Sequence, residues 1–302
     1  MVLETEKIEA AWDGKSRGTV LGFKVFVFFI KHFGINAAYA LMHLPVPYFC
    51  IKERKNWYAL FAYFNKRLGY SKWKSVVSIY KTYYVFGQSL VDKVAISIGF
   101  RNKYTFEFDG EGFLRETAKT QKGGILISAH LGNFELAQYF FRERMEEIPI
   151  SVVITDQDHQ EIKEYFEQFL QRKKTHFIII KDDFSHVFEM HKALQENRII
   201  CITGDRYLNA VKFLEAEILG KKAKFPIGPF HLATRLKVPV FFVYVMREPK
   251  MHYHLFARRI EVKYNNAQDL LEKYVVSLES MIAKYPTQWF NFYDFWDDRK
   301  KE

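Results

Sequence analysis

Cysteine is scarce in this sequence, whose 302 residues include only Cys50 and Cys201. Two cysteines cannot build a disulfide scaffold or a cysteine-rich zinc site. Cys201 lies in an apolar run, which favours a place in the core over a reactive role. This sparing use of cysteine is typical of proteins in a reducing compartment.

Glycine-rich loops of the kinds that bind nucleotide phosphates are also lacking, and so are internal repeats, low-complexity tracts and long linkers. His252 and His254 are spaced to share one face of a strand, but no third ligand follows nearby, so we predict no metal site and no cofactor. Apolar residues make up 49% of the chain, which is enough for a large core and excludes wholesale disorder.

An unbroken run of about 20 apolar residues, the length that crosses a bilayer, is missing as well. Residues 19–51 are the most hydrophobic stretch, but Lys24 and Lys31 interrupt its first half, and Pro45 and Pro47 interrupt its second. It is also a poor secretory signal, because the leader before it is long and contains acids. We expect helices that lie in or dip into the membrane interface. A pair of buried core helices is the alternative.

Basic residues outnumber acidic ones, 45 to 35, which gives a net charge of +10. A basic surface attracts phospholipid headgroups, phosphorylated substrates, acidic carrier proteins or nucleic acid, and charge alone does not choose among them. Aromatic residues reach 18% of the chain. Such a content suits a thick core or a surface that meets lipid.

The rhythm of the sequence changes near residue 100. Residues 53–98 have the spacing of helices, whereas the remainder alternates short apolar runs with polar helical stretches, which is typical of a mostly parallel sheet flanked by helices. We therefore predict an α/β fold with a polar leader (1–18), an N-terminal helical membrane-associating region (19–98) and an α/β domain (99–302) continuous with those helices. The predicted strands are Tyr104–Phe108, Ile125–Ala129, Ser151–Thr155, Phe177–Ile180, Ile199–Thr203, Val238–Met246 and Tyr253–Val262. The predicted helices are 112–120, 133–145, 158–173, 183–196 and Ala267–Lys284.

The most specific pattern is GGILISAHLGNFELA, residues 123–137. Its predicted strand ends at His130, Gly132 and Asn133 lie in a turn, and Glu135 falls in the first turn of the next helix. Reactive groups of open α/β sheets gather at the carboxyl ends of strands. We predict that backbone N–H groups near Gly132 and Asn133, at the helix start, bind the oxyanion of the reaction with help from Arg206.

Residue chemistry makes His130 a candidate general base. Near neutral pH a histidine can take a proton from a hydroxyl, and a carboxylate on its far nitrogen fixes the tautomer. We predict that Glu135 orients His130 for this task. The same spacing recurs at His159/Glu164 and His191/Glu196, but in or beside polar helical stretches. A structural histidine is the alternative interpretation of His130.

No convincing enzyme nucleophile accompanies this histidine. The pattern GKSRG at 14–18 matches a nucleophile elbow, but it precedes any strand. Ser128 lies two residues before His130 and is a second candidate. The simplest interpretation is that the substrate supplies the hydroxyl. A lipid hydrolase that uses Ser128 and a non-catalytic module that binds anionic lipid or nucleic acid are the alternatives.

A second candidate site follows the strand Ile199–Thr203, at the sheet edge where His130 is expected. Arg206 can bind phosphate or carboxylate with both guanidinium nitrogens, and Asp205 can hold Arg206 or a substrate hydroxyl. A turn with a surface ion pair is the alternative.

A third candidate is GKKAKFPIGPFHLATR, residues 220–235. We interpret it as a basic, rigid loop before a helix, with Pro229 at the helix start. Such a loop, which includes Phe225 and Gly228, suits an acidic headgroup or carrier, and a plain connecting loop is the alternative.

Over roughly residues 20–296 the chain resembles the bacterial late acyltransferases of lipid A biosynthesis, the lauroyl and myristoyl transferases, and relatives that acylate other glycolipids. SAHLGNFELA is similar to the family's His-x-x-x-x-acid motif, which places the catalytic dyad on His130 and Glu135. ICITGDR resembles a later strand ending in a functional aspartate, here Asp205. KFPIGPF resembles the Phe-Pro-x-Gly segment, and YPTQWFNFYDFW resembles the Pro-x-Gln-aromatic ending.

The closing segment departs from the family pattern. A Trp-x-His-Arg-Arg-like run is usual there, whereas this chain has WFNFYD at 289–294, and Arg206 stands where glutamine or histidine is common. These departures keep the reaction type and leave the acceptor open between a lipid A precursor and a different lipid or polyene.

The resemblance implies a fold like that of glycerolipid acyltransferases and a fatty acyl donor bound to acyl carrier protein, with coenzyme A as the alternative carrier. It implies a hydroxyl of a membrane glycolipid as acceptor and a place on the cytoplasmic face of the bacterial inner membrane, held peripherally or by the N-terminal region. Nucleic acid is not an expected partner. Acyl chain length and oligomeric state stay open.

Overall fold

The computed structural model describes residues 20–137, 149–155, 176–180, 183, 185–206 and 213–296. Several sequence predictions therefore fall outside the described residues. These are the polar leader with its GKSRG pattern, most of the helix predicted over 133–145, and the helix predicted over 158–173 with the His159/Glu164 pair.

The centre of the fold is a seven-stranded sheet with strand order β1-β9-β8-β2-β5-β3-β4, next to a two-stranded sheet of β6 and β7. Strands β8, β2, β5, β3 and β4 run parallel, whereas β9 is antiparallel to β8 and β1 is parallel to β9. The predicted α/β class with a mostly parallel sheet is confirmed. The strands are β1 (Thr105–Asp109), β2 (Gly124–Ser128), β3 (Ile150–Thr155), β4 (His176–Ile180), β5 (Ile199–Thr203), β6 (Phe213–Ile218), β7 (Lys221–Pro226), β8 (Val240–Glu248) and β9 (His252–Ile260).

The strand sequences explain the layering. All five residues of β2, GILIS, are buried, as expected for a parallel strand that is covered on both faces. Among the described residues, the α-helices after β1 are α6 (Glu111–Lys119), α7 (Ser185–Gln195), α8 (Ile227–Arg235) and α9 (Ala267–Lys284). The long helix α9 covers part of one face of the sheet and buries apolar residues three or four positions apart, such as Leu271, Val275 and Leu278.

The prediction of a loop at the start of residues 220–235 was wrong. Its first part, Lys221–Pro226, is β7 and pairs antiparallel with β6. Leu219 and Gly220 connect the strands with φ of 51° and 75°, which fits a two-residue hairpin turn. The lysines at 221, 222 and 224 made this stretch too polar to be predicted as a strand, although the alternating residues Ala223 and Phe225 are buried. Helix α8 starts at Ile227, two residues before Pro229.

Residues 20–95 form a series of helices, and their predicted association with a membrane stays a prediction. Helix α5 starts after Ser71, whose side chain accepts a hydrogen bond from the backbone N–H of Lys74 at 3.3 Å. Within the described part of the chain, no helix has the length and apolar character required to cross a membrane. The helices are α1 (Val20–Phe33), α2 (Ile35–Leu41), α3 (Pro45–Lys52), α4 (Arg54–Ala62) and α5 (Lys72–Ala95), with π-helical turns at Tyr63–Arg67 and Ile96–Phe100.

A buried polar cluster joins these helices to the sheet. Asp92 of α5 is fully buried. Arg247 donates to it from Nε at 2.9 Å, as does the Tyr104 hydroxyl at 2.9 Å, and the hydroxyls of Tyr39 and Tyr253 also donate to it. A buried carboxylate is tolerated only when it is paired and hydrogen-bonded, and these four donors satisfy Asp92. The cluster fixes α2 and α5 to β8 and β9.

Candidate active site

The geometry of two adjacent parallel strands brings His130 to Asp205. Strands β2 and β5 are in register with Ser128 opposite Thr203. His130 follows Ser128 by two residues, and Asp205 follows Thr203 by the same number, so both emerge at the carboxyl edge of the sheet. The sequence prediction that the two lie at one edge is confirmed.

Asp205 binds His130 through both of its carboxylate oxygens. Oδ1 lies 2.8 Å from the ring Nδ1 of His130, and Oδ2 accepts the backbone N–H of His130 at 2.9 Å. Trp289 donates to Oδ2 from its indole nitrogen at 3.2 Å. The Asp205 side chain is fully buried, whereas that of His130 is 32% exposed. The carboxylate is therefore enclosed, and the imidazole is accessible.

Electrostatics keep this carboxylate ionised. Burial raises the pKa of Asp205, but its electrostatic interaction and hydrogen bonds with His130, together with the nearby Arg206 guanidinium, outweigh burial and hold the pKa below its ordinary value. An ionised carboxylate at Nδ1 selects the tautomer with a proton on Nδ1, which leaves Nε2 able to accept a proton. The pair has the chemistry of an oriented general base.

The structure thus gives His130 a different carboxylate partner from the predicted Glu135. Glu135 lies in a short 3-10 helix, Phe134–Leu136, and its side chain is outside the described part of the chain. Its role stays a prediction. The available signal for Asp205 was the strand register, since the runs ILIS and ICIT are each followed two residues later by a polar side chain.

The closing segment contributes residues that sequence reasoning quoted without giving them a role. Trp289 forms an isolated antiparallel bridge with Leu131, and the backbone N–H of Phe290 donates to the His130 carbonyl at 2.9 Å. Gln288 anchors the segment, because its amide binds both the N–H and the carbonyl of Arg247 at 2.9 and 2.6 Å. The segment therefore forms one wall of the site.

Gly132 allows the turn after His130 to pass close to β8. Its φ is +74°, and a Cβ there would lie 2.2 Å from the Val245 carbonyl oxygen, so only glycine fits. The Gly132 N–H donates to the backbone carbonyl of Gln288 at 2.9 Å, and the Asn133 N–H donates to the backbone carbonyl of Val245 at 2.8 Å. Both N–H groups, which were predicted to bind an oxyanion, are thus engaged within the fold.

Arg206 is directed toward the closing segment. Its guanidinium donates to the Phe290 carbonyl and lies 5.7 Å from the centroid of the Tyr293 ring. Burial lowers the pKa of Arg206, although the neighbouring Asp205 acts in the opposite direction. In this arrangement the Arg206 guanidinium is bound to the closing segment, and a contact between Arg206 and substrate stays a prediction.

The predicted substrate residues of the third segment lie farther away. Phe225 is fully buried, and its ring packs against Phe295 with centroids 5.5 Å apart. Phe295 in turn packs against Trp289 at 5.1 Å, so Phe225 reaches the site through two aromatic neighbours. Gly228 lies in the first turn of α8 beside open space.

Ser128 does not have the setting of a nucleophile. It is fully buried, and among the described residues its hydroxyl has no hydrogen-bond partner. Nδ1 of His130 is already bound by Asp205. A nucleophilic serine needs a base within hydrogen-bond reach and access to substrate, so the geometry favours a hydroxyl supplied by the substrate.

Comparison with known protein families shows a match to the bacterial lipid A biosynthesis acyltransferase family. The family model matches residues 77–297, well over half of the chain. The matched range contains His130, Asp205 and the closing segment around Trp289. Among curated proteins, none matches the sequence.

Proposed function

Because the chain belongs to the bacterial lipid A biosynthesis acyltransferase family and is therefore an acyltransferase, we propose that it moves a fatty acyl group from a thioester to a hydroxyl of a membrane glycolipid. A lipid A precursor is the proposed acceptor, and acyl carrier protein or coenzyme A is the proposed carrier. The observation that carries the proposal is the accessible imidazole of His130 held by the buried carboxylate of Asp205.

In the proposed reaction, Nε2 of His130 takes the proton of the acceptor hydroxyl while the hydroxyl oxygen attacks the carbonyl carbon of the thioester. The tetrahedral intermediate then collapses, the carbon–sulfur bond breaks, and the leaving thiolate receives the proton from the imidazolium. Asp205 fixes the ring and stabilises the imidazolium between these steps. Atoms and charge balance without a metal or a cofactor.

Glu135 stays in the proposal as the acid that the family resemblance assigns to the dyad. Asp205 occupies Nδ1 and Nε2 is the proposed base, so Glu135 is proposed to act on the substrate rather than on the imidazole. Arg206 and Gly228 are proposed to position the acceptor or the donor around this centre. Phe225, which is fully buried, and Asn133, whose side-chain amide binds the Ser89 carbonyl, are proposed to support it from within the fold.

The N-terminal helices support membrane association. Their sequence from residue 20 to residue 52 contains no acidic residue, whereas it contains Lys24, Lys31 and Lys52. Large apolar side chains are exposed on the same segment, and such side chains beside lysines suit an anionic lipid surface. We propose peripheral docking on the cytoplasmic face of the inner membrane. The exposed residues are Leu21 72%, Phe28 51%, Phe33 64%, Leu44 74%, Tyr48 54% and Ile51 73%.

The function is tested with purified protein, an acyl thioester and a lipid A precursor, with mass spectrometry of the product. Wild type should yield a lipid heavier by one acyl group. His130→Ala should remove transfer while its circular dichroism spectrum stays that of wild type, since the imidazole is the proposed base. Glu135→Ala should do the same if the family dyad applies. Full activity of His130→Ala would overturn the proposal.

The same assay separates the alternatives. A hydrolase would release free fatty acid in the absence of acceptor and would be labelled by a fluorophosphonate that traps active-site serines. Comparing total lipids of cells with and without the gene identifies the natural acceptor and chain, because one species should differ by a single acyl group.

A further inference from the structure

The side chain of Asn291 is buried and forms no hydrogen bond with the described residues. Asn291 is 6% exposed, and neither its amide nitrogen nor its amide oxygen has a hydrogen-bond partner in the described part of the chain. Buried polar groups of native proteins nearly always have partners, and an exception calls for a specific explanation. A ligand that binds the amide is one such explanation.

Neighbouring buried amides show that the fold can satisfy such groups. Both amide atoms of Gln288, three residues earlier, bind the backbone of Arg247. The amide nitrogen of Asn133, a residue that is 8% exposed, donates to the Ser89 carbonyl at 2.9 Å. The amides of Gln288 and Asn133 are therefore held by the protein, whereas no described residue holds the amide of Asn291.

The position of Asn291 adjoins the reacting groups. Its neighbour Phe290 donates its backbone N–H to the His130 carbonyl at 2.9 Å, and Trp289, two residues earlier, donates to Asp205. A second buried side chain with no partner in the described residues, the Ser128 hydroxyl, lies two residues before His130. Two buried side chains without a partner in the described residues therefore belong to the segments that meet at His130.

The segment that contains Asn291 is rich in aromatic residues. Phe290 and Phe292 precede and follow Asn291 in the chain, and the ring of Phe86 packs against both, with centroids 5.1 and 5.2 Å apart. Asn291 itself is 6% exposed, and a hydrogen bond formed at a buried amide is strong, because little water competes for it. Such an amide is suited to bind a polar group of a ligand.

We propose that Asn291 is a substrate-binding residue whose amide pairs with a group that both donates and accepts a hydrogen bond, a secondary amide or a hydroxyl. This inference rests on the acyl-transfer function proposed above. An acyl thioester on a pantetheine arm carries secondary amides, and a sugar lipid carries hydroxyls and amides. Donor and acceptor thus offer the same kind of hydrogen-bonding group, and kinetic measurements distinguish which of them Asn291 binds.

The test is Asn291→Leu, which keeps the branched shape and removes the polar atoms. Because an unpartnered polar group is replaced by an apolar one, the melting temperature should stay equal or rise. The value of kcat/KM should fall about tenfold, the effect of losing one buried hydrogen bond to substrate. A raised KM for the thioester assigns the contact to the donor, and a raised KM for the lipid assigns it to the acceptor.

Asn133→Leu is the matched control for stability, since it removes a buried amide that has a partner, and its melting temperature should fall. An Asn291→Leu protein that melts as early as this control would show that the fold itself satisfies Asn291. Unchanged melting and unchanged kcat/KM would show that only water occupies the amide. Either result overturns the inference.

Failure of the proposed function is recognised separately, by wild-type protein that transfers no acyl group or by an active His130→Ala. The inference is then judged by binding. Dodecanoyl-coenzyme A and a detergent-solubilised lipid A precursor are each added alone, and the rise in melting temperature is measured. At least one probe should stabilise wild type more than Asn291→Leu. Equal shifts for both proteins, including no shift, overturn the inference.

Discussion

Asp205 forms two hydrogen bonds with His130, with Oδ1 at 2.8 Å from the ring Nδ1 and Oδ2 at 2.9 Å from the backbone nitrogen. The same carboxylate therefore fixes both the ring and the turn that carries it. Trp289 adds a third bond to this carboxylate from the closing segment. Orientation of the imidazole thus depends on three separate parts of the chain.

Asp205→Asn should lower kcat by about 10³- to 10⁴-fold, because an amide at Nδ1 no longer selects the tautomer with a free Nε2. Initial rates at saturating donor and acceptor measure the effect. Asp109→Asn is the control, since Asp109 is 45% exposed and pairs with Arg258 at the surface, and its kcat should equal that of wild type. Comparable rates for both variants would exclude Asp205 from the mechanism.

Stability should depend on pH through Asp205. Its pKa is lower in the folded protein than in the unfolded chain, so its contribution to stability is fully present above the unfolded pKa of about 3.9 and is lost as pH falls toward the lower folded value. The melting temperature of wild type should drop over this acid range more steeply than that of Asp205→Asn. Parallel curves from pH 6 to pH 2 would contradict the pairing.

Gly132→Ala should destabilise the protein by at least about 1–3 kcal/mol, because alanine is strained at this positive φ and its Cβ meets a backbone oxygen. Urea denaturation measures the change in the free energy of unfolding. Gly112→Ala is the control, since Gly112 lies in α6 beside open space, and alanine there should be neutral or stabilising. Equal stability of both variants would show that the turn adapts.

Phe28→Glu should weaken binding to phosphatidylglycerol vesicles, because it puts a carboxylate on the proposed lipid-facing surface. Its rate with a detergent-solubilised acceptor should match that of wild type, since the site is unchanged. Val276→Glu on α9, where Val276 is 68% exposed, should co-sediment with vesicles as wild type does. Loss of binding by both variants, or by neither, would argue against the assigned surface.

Local pattern was sufficient for much of the fold. Helix α9 has the predicted bounds, Ala267–Lys284, because its apolar spacing and its Asn266 cap are encoded within a few turns. The buried strand before His130 was equally visible as an apolar run. The hairpin of β6 and β7 was missed, because Lys221, Lys222 and Lys224 concealed the alternation that buries Ala223 and Phe225.

That a histidine follows a buried strand could be predicted from the residues alone, because hydrophobic periodicity and turn chemistry act over neighbouring positions. The contact between Asp205 and the ring of His130 depends on the folded arrangement of the strands. Glu135 is five residues away in the chain and Asp205 is 75, yet strand pairing brings Asp205 to Nδ1. Trp289, nearer the end of the chain, joins them for the same reason: contacts between distant segments depend on which strands pair, and no local pattern encodes that choice.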